Sequence, residues 1–382
     1  MPVNSLKTDQ HPAVRYAVEL IRRASITPDD AGCQDYLESQ LTPLGFSRQP
    51  INEGGVSNSI FLRPGERDGT LAFAGHTDVV PVGREEMWQH PPFSAAIVED
   101  VLWGRGTQDM KAAIGCWIAA VQWLVDNGTP LPTLQLLITS DEEGDSIDGT
   151  IHMVTSMQQQ GSLPDAAIVG EPSCAQHVGD VIRRGRRGVV QARIEIIGQQ
   201  GHSAYPQDAD NAIHRAAGII QRINDIDWGT PAEGFPPTTC QITNIESGTG
   251  AMNVIPGHAF LSMDIRYNPS VDFASIKEKI LCACENAEID IQWDHSAESF
   301  STPNGPFLDL VCASILRVTG IETLRDTGGG TSDGRFLAAA GVPVAELGLT
   351  NSTIHQVNER VALHELVTLT SIYTDIIQHF EV

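Results

Sequence analysis

The feature that most constrains this chain is a series of short apolar runs, each breaking off into a polar cluster. Leu71–Ala74 ends in Gly75-His-Thr-Asp, Thr133–Thr139 in Ser140-Asp-Glu-Glu-Gly, and Ala166–Val169 in Gly170-Glu-Pro-Ser. Much later, Val342–Leu347 leads into Gly348-Leu-Thr-Asn-Ser-Thr-Ile-His. Runs this apolar read as strands buried on both faces. Ser59–Arg63 adds a strand, and Ala96–Trp103 reads as a hairpin turning at Glu99-Asp100. Helical spacing of apolar residues runs over Ala13–Arg23, Ala31–Leu41 and Lys111–Val125. Buried strands alternating with helices predict an α/β layer structure on a central, mostly parallel mixed sheet.

Between these segments the texture changes. Gly188–Gly198, Thr238–Ile245 and His258–Arg266 alternate as half-buried strands, Ile289–His295 reads as a last strand, and Asp208–Ile223 and Phe273–Glu285 read as helices. Two helices over a four-stranded antiparallel sheet make a compact α+β unit. It is expected at 188–300 as an insertion, the first domain being 1–187 and 301–382. A chain of 382 residues is long enough to need two cores.

Bulk properties exclude several classes of function. The formal charge is −24, from 48 acidic and 24 basic residues, which opposes nucleic-acid binding and adhesion to anionic lipid. No apolar run reaches membrane-spanning length, and the segment Met1–Arg23 lacks an apolar stretch followed by a cleavage site. The cysteines at 33, 116, 174, 240, 282, 284 and 312 are scattered, which suits a reducing compartment. A cytoplasmic location is therefore expected.

The residues that carry chemistry stand at the strand ends. His76 and Asp78 come after one strand, Glu142 and Glu143 after another, Glu171 after a third and His355 after a fourth, while Asp109 stands at the mouth of a helix. In open α/β sheets the C-terminal ends of the strands converge on one crevice. Each residue alone has a plainer explanation, since a lone His after a strand is usually structural and paired glutamates usually face solvent. The recurrence at successive strand ends tips the reading toward a metal centre. Nitrogen and oxygen donors without thiolate suit zinc, cobalt or manganese. In an extended segment, His76 and Asp78 share one face, so Asp78 can accept the spare imidazole N–H.

Gly75-His-Thr-Asp-Val-Val-Pro, Gly104-Arg-Gly-Thr-Gln-Asp-Met-Lys, Thr139-Ser-Asp-Glu-Glu-Gly and Gly170-Glu-Pro-Ser resemble the aminoacylase/carboxypeptidase family of dinuclear zinc hydrolases. The resemblance spans nearly the whole chain. It implies that His76 and Glu171 hold one Zn²⁺ and that His355 and Glu143 hold a second. Asp109 would bridge them, with Co²⁺ able to substitute and a cis peptide after Asp109. It makes Glu142 the general base, with Asp78 orienting His76. It also implies a homodimer in which His202, in Gly201-His-Ser-Ala-Tyr-Pro, enters the partner's active site to steady the oxyanion. The inserted unit would then be a dimerisation or lid domain.

Arg183, Arg184, Arg186 and Arg187 form the densest basic cluster of an acidic chain. Such a cluster reads either as a solvated hinge or as a carboxylate site, since guanidinium forks pair with carboxylates. The family resemblance implies a small anionic N-acyl amino acid as the partner. With Gly329-Gly-Thr-Ser-Asp-Gly-Arg-Phe and Asn351-Ser-Thr-Ile-His-Gln-Val-Asn-Glu, this cluster resembles the family's desuccinylase members rather than its deacetylase members. By that resemblance Arg186, Tyr205, Asn253, Arg266, Gly330, Thr331 and Asn351 line the substrate site, in an enzyme serving lysine and cell-wall precursor synthesis. Met252, Thr107, Gln108, Ala112 and Ser203 depart from the desuccinylase pattern without touching a predicted ligand. The rivals are a deacetylase or dipeptidase on the same scaffold, and, from another class, a non-catalytic metal-binding scaffold. A serine- or cysteine-nucleophile mechanism is a further rival, set apart by whether zinc removal or thiol alkylation abolishes turnover.

Overall fold

The computed structural model describes residues 8–382; residues 1–7, part of the expected first domain and of the N-terminal segment, lie outside the described residues. The chain divides into two compact units. One comprises Met1–Arg184, Thr302–Asp326 and Ser332–Val382, and the other Gly185–Ser301 with Thr327–Thr331. The short piece 327–331, expected in the first domain, thus groups with the second unit.

The first unit is built on an eight-stranded mixed sheet. Its strands run in the order Ser47–Pro50, Asn58–Arg63, Thr133–Thr139, Thr70–His76, Ala166–Val169, Val344–Glu346, Val181–Arg183 and Leu324–Asp326. The four central strands, from Thr133–Thr139 to Val344–Glu346, are mutually parallel. Their C-terminal ends therefore open on one side, as the apolar runs implied. The side chains along Leu134–Thr139 and Leu71–His76 are buried throughout, which is why neither strand shows a two-residue polar alternation.

The helix Lys111–Asp126 is apolar on nearly every face, and all its residues from Lys111 to Val121 are buried. It packs against the helices Pro12–Ile21 and Leu363–His379. Pro12 fits the first turn of its helix, and the His11 side chain caps it by accepting the Ala13 N–H at 3.3 Å. Trp117 joins the layers, its ring 4.9 Å from Phe73 and 5.6 Å from Tyr373 between centroids. Each such contact is worth about 0.5–1.5 kcal/mol beyond burial.

The second unit holds an antiparallel sheet in the order Thr239–Ser247, His258–Tyr267, Gly188–Ile197 and Glu288–Ala297. Val190, Ile194, Ile196, Leu261 and Ile265 turn inward beneath two helices, Ala212–Asn224 and Phe273–Ala283. The first of these starts later than its spacing suggests. Pro206–Asp208 forms a separate 3-10 turn, and the Asn211 side chain caps the helix by accepting the Ile213 and His214 N–H groups. Among the described residues no helix is long and apolar enough to cross a membrane.

Candidate metal centre

The parallel strands bring their polar ends together within the first unit. His76 is the last residue of Thr70–His76, Glu171 comes after Ala166–Val169, and Glu142 and Glu143 come after Thr133–Thr139. Asp109 precedes the helix Lys111–Asp126, and the Asp109–Met110 peptide is cis. The His76 Nε2 lies 3.2 Å from Asp109 Oδ1 and 3.5 Å from Glu171 Oε1. The His355 Nε2 lies 3.4 Å from Asp109 Oδ2 and 3.1 Å from Glu143 Oε1. Asp109 thus turns one oxygen toward each histidine.

Asp78 is fully buried and serves two neighbours. Its carboxylate lies 3.6 Å from His76 Nδ1, which also meets the Asp78 carbonyl at 2.9 Å. The same carboxylate accepts the Glu142 N–H at 3.3 Å and the Glu143 N–H at 3.0 Å. One residue therefore fixes both the imidazole and the turn carrying the two glutamates. Beyond that turn, Asp141 accepts the N–H groups of Ser146, Ile147 and Asp148, each within 3.2 Å.

The floor of the site is a close approach of backbone and methionine. A Cβ on Gly75 would come 2.4 Å from Met110 Cε, and one on Gly170 would come 2.5 Å from it and 2.4 Å from Phe73. Glycine at these strand ends makes room for Met110 beside the residues that precede His76 and Glu171.

The electrostatics are those of an acidic cluster. Burial opposes a charged His76, but Asp109, Asp78 and Glu171 outweigh it and hold the imidazole well above its usual range. His355 is raised to about 10 by Asp109 and then Glu143. Burial and the Glu171 charge push Glu142 well up, and burial pushes Glu143 up. Burial also works against an ionised Asp109, yet the two histidines hold its carboxyl below the ordinary range. Donor atoms of His76, Glu142 and Glu171 lie within 4.8 Å of one another, as do those of His76, Asp109 and Glu143. Such oxygens and imidazole nitrogens, with no thiolate among them, are suited to a borderline divalent cation, whose charge would favour ionised carboxylates and neutral imidazoles. The donor set fits a metal centre.

The other predicted residues divide between the two units. Asn351 lies in the first unit and donates its N–H to the Cys174 carbonyl at 3.0 Å. In the second unit, Gly201–His202 pairs with Val254–Ile255, and the Ser203 N–H donates to the Asn253 carbonyl at 3.0 Å. The Tyr205 ring lies 5.8 Å from that of His202, so two residues of one motif come beside Asn253 from a distant segment. Arg186 is buried and donates to the carbonyls of Gly328 and Gly330, the latter at 3.1 Å, with Thr331 next in the chain. Arg266 is engaged by Asp264, with 2.7 Å between Nε and Oδ1. Of the remaining arginines, Arg183 pairs with Asp326, and Arg184 donates to the Thr302 carbonyl at 3.3 Å.

Glu359 has no role in the sequence reading, yet it organises the Asp109 loop. It is fully buried and accepts from Arg105 Nη1 at 2.7 Å, and from the N–H groups of Gly106, Gln108 and Asp109 at 3.1, 2.8 and 3.3 Å. Burial pushes its carboxyl up, while Arg105 and these N–H groups pull it down. Its one trace in the sequence is a position in the Asn351–Glu359 motif, four residues after His355.

A family model described as peptidase family M20/M25/M40 matches residues 72–379. Succinyl-diaminopimelate desuccinylase of Alkalilimnicola ehrlichii is 41% identical over 365 residues, covering 95% of this chain and 97% of that protein. The protein of the same name from Marinobacter nauticus is 42% identical, covering 96% of this chain and 98% of its own length. Among solved structures, aminopeptidase PepT of Bacillus cereus superposes with a TM-score of 0.79 at 20% identity, covering 98% of each chain. The YXEP protein of Bacillus subtilis, a dinuclear metal binding peptidase, gives 0.72 at 15% identity and 96% coverage of each chain.

Proposed function

Because the chain belongs to peptidase family M20/M25/M40, we propose that it hydrolyses the amide bond of N-succinyl-L,L-2,6-diaminopimelate, releasing succinate and L,L-2,6-diaminopimelate. The reaction serves lysine and cell-wall precursor synthesis in the cytoplasm. One observation carries the hydrolytic reading: Asp109 offers one oxygen to the His76 side and the other to the His355 side. The substrate is supported by relatives of that name, similar over nearly the full length of both chains.

His76 and Glu171 would hold one Zn²⁺, and His355 and Glu143 the other, with Asp109 between them; Co²⁺ is expected to substitute. When bound, the cations supply a more acidic water and a polarised amide carbonyl. Glu142 takes the proton of the attacking water and delivers it to the departing amine nitrogen. Burial and the Glu171 charge hold its carboxyl above the ordinary range, which favours its carrying that proton between the two steps. Asp78 holds the imidazole of His76 and the peptide groups of Glu142 and Glu143 in place, so a single anchor aligns base and ligand. The second unit, as lid and dimerisation domain, would bring the partner subunit's His202 to the developing oxyanion. Arg186, Tyr205, Asn253, Arg266, Gly330, Thr331 and Asn351 would receive the substrate, whose three carboxylates match a guanidinium-bearing site.

Steady-state hydrolysis of N-succinyl-L,L-diaminopimelate and N-acetylornithine by the zinc-loaded enzyme tests this reading. A kcat/KM higher for the succinyl compound by orders of magnitude is the expected result. Preference for the acetyl compound would retain the metal chemistry and refute the substrate.

A further inference from the structure

The chain places a glutamine between its two ligand-bearing loops, where no part of the proposed chemistry uses it. Gln108 directly precedes Asp109 and is almost fully buried. Its Nε2 donates to Thr350 Oγ1 at 3.0 Å and to Ser352 Oγ at 3.3 Å. Its Oε1 accepts the Thr353 N–H at 2.8 Å and the Thr353 hydroxyl at 2.6 Å. A primary amide has two donor hydrogens and two acceptor lone pairs, and all four are used here. Every one of these bonds reaches the same short segment, 350–353, which carries Asn351 and runs into His355.

That segment needs support. His355 has φ 59°, in the left-handed region, which a residue with a β-carbon adopts only at a steric cost. Such a conformation persists only where its surroundings over-determine it. Thr353 is the pivot. Its hydroxyl meets Gln108 and accepts the Arg360 N–H at 3.1 Å, and its carbonyl accepts the Gln356 N–H at 3.2 Å, closing the turn that contains His355. Thr350 is secured from its far side, donating to Glu365 Oε2 at 2.7 Å.

The Asp109 side is held differently. Glu359 grips the N–H groups of Gly106, Gln108 and Asp109 through the backbone, and these bonds do not involve the glutamine side chain. Removing that side chain should leave Asp109 where it is and release the 350–355 segment. We propose that Gln108 is a positioning residue that sets the distance between Asp109 and His355, and so governs the His355-side cation selectively. This inference rests on the two-cation reading above.

The test uses Gln108→Met, which keeps the length and most of the volume while removing all four hydrogen bonds. Chelator-stripped full-length protein is titrated with Co²⁺, following heat and visible absorption, so that binding is read without turnover. Wild-type protein should show two binding events. In the variant one event should stay unchanged and the other weaken by roughly 10–100-fold, the usual effect of losing a partner that orients a ligand. The weakened event should also show an altered absorption band. Two unchanged events, or equal weakening of both, would overturn the proposal and leave the two-cation reading intact. Fewer than two events in wild-type protein would refute that reading, and the proposal with it. If Gln108→Met does not fold, Thr353→Val removes one of the four Gln108 bonds from the other end, together with the hydroxyl's bonds to the Arg360 backbone. Its expected effect is the same selective weakening, smaller in size, and two unchanged events there would also overturn the proposal.

Discussion

Replacing Glu359 with alanine should destabilise the first unit more than any exposed charge could. The carboxylate is fully buried, is paired with a buried Arg105, and accepts three backbone N–H groups of the Asp109 loop. Alanine strands the guanidinium and leaves those N–H groups without their acceptor. Removing one partner of a buried ion pair costs about 3–5 kcal/mol, because the remaining charge stays buried. The first unit has roughly 260 residues, which corresponds to an unfolding entropy of about 0.55 kcal/mol per kelvin near its midpoint. The ratio predicts a fall in Tm of about 5–9 °C. Differential scanning calorimetry on chelator-stripped protein reads this without any contribution from metal binding. Glu359→Gln, which keeps the shape and one acceptor, should fall between wild type and alanine. A fall of less than about 2 °C for Glu359→Ala would refute the claim that this carboxylate organises the loop.

The site and its surroundings predict three further outcomes. Glu142→Gln should lower kcat by about 10²–10⁴-fold, the usual contribution of a general base, with metal content by elemental analysis unchanged; loss of metal instead would make Glu142 chiefly a ligand. Gly170→Ala forces a methyl against Phe73 and Met110 and should cost about 1–3 kcal/mol in a urea titration, and a neutral result would count against Met110 as the packed floor. All seven cysteines are free and Cys282 is the exposed one, so mild alkylation should label it first without loss of turnover; inactivation would bring a thiol into the mechanism.

The central strands were legible because they are buried on both faces, so composition alone marks them. Their polar ends then name His76, Glu142, Glu143 and Glu171 in one reading, since a parallel sheet sends all of those ends to one side. The helix Leu363–His379 was not legible. It is rich in threonine and isoleucine, which lose χ1 freedom in a helix and lower its propensity. It is held instead by burial of Leu366, Leu369, Tyr373, Ile376 and Ile377 at helical spacing. Glu359 and Gln108 were missed for another reason. Their partners are a guanidinium and backbone and hydroxyl groups up to 254 positions away in the chain, and no local spacing records such a contact. Gln108 stood out only as a departure from a motif, which says that a residue differs but not what it holds. The second unit was readable as alternating strands, while Asn211 rather than Asp208 marks the start of its helix, because only Asn211 caps two N–H groups.

An amide hydrolase that needs two cations and takes a succinylated diamino acid must lose its activity with its metal and regain it in proportion. Titrating chelator-stripped protein with Zn²⁺, while following release of succinate from N-succinyl-L,L-diaminopimelate, reads both requirements at once. Stripped protein should show no turnover, and activity should rise with added zinc and level off by two equivalents per chain. Full turnover in the stripped protein, or none at any zinc level, would contradict the two-cation desuccinylase.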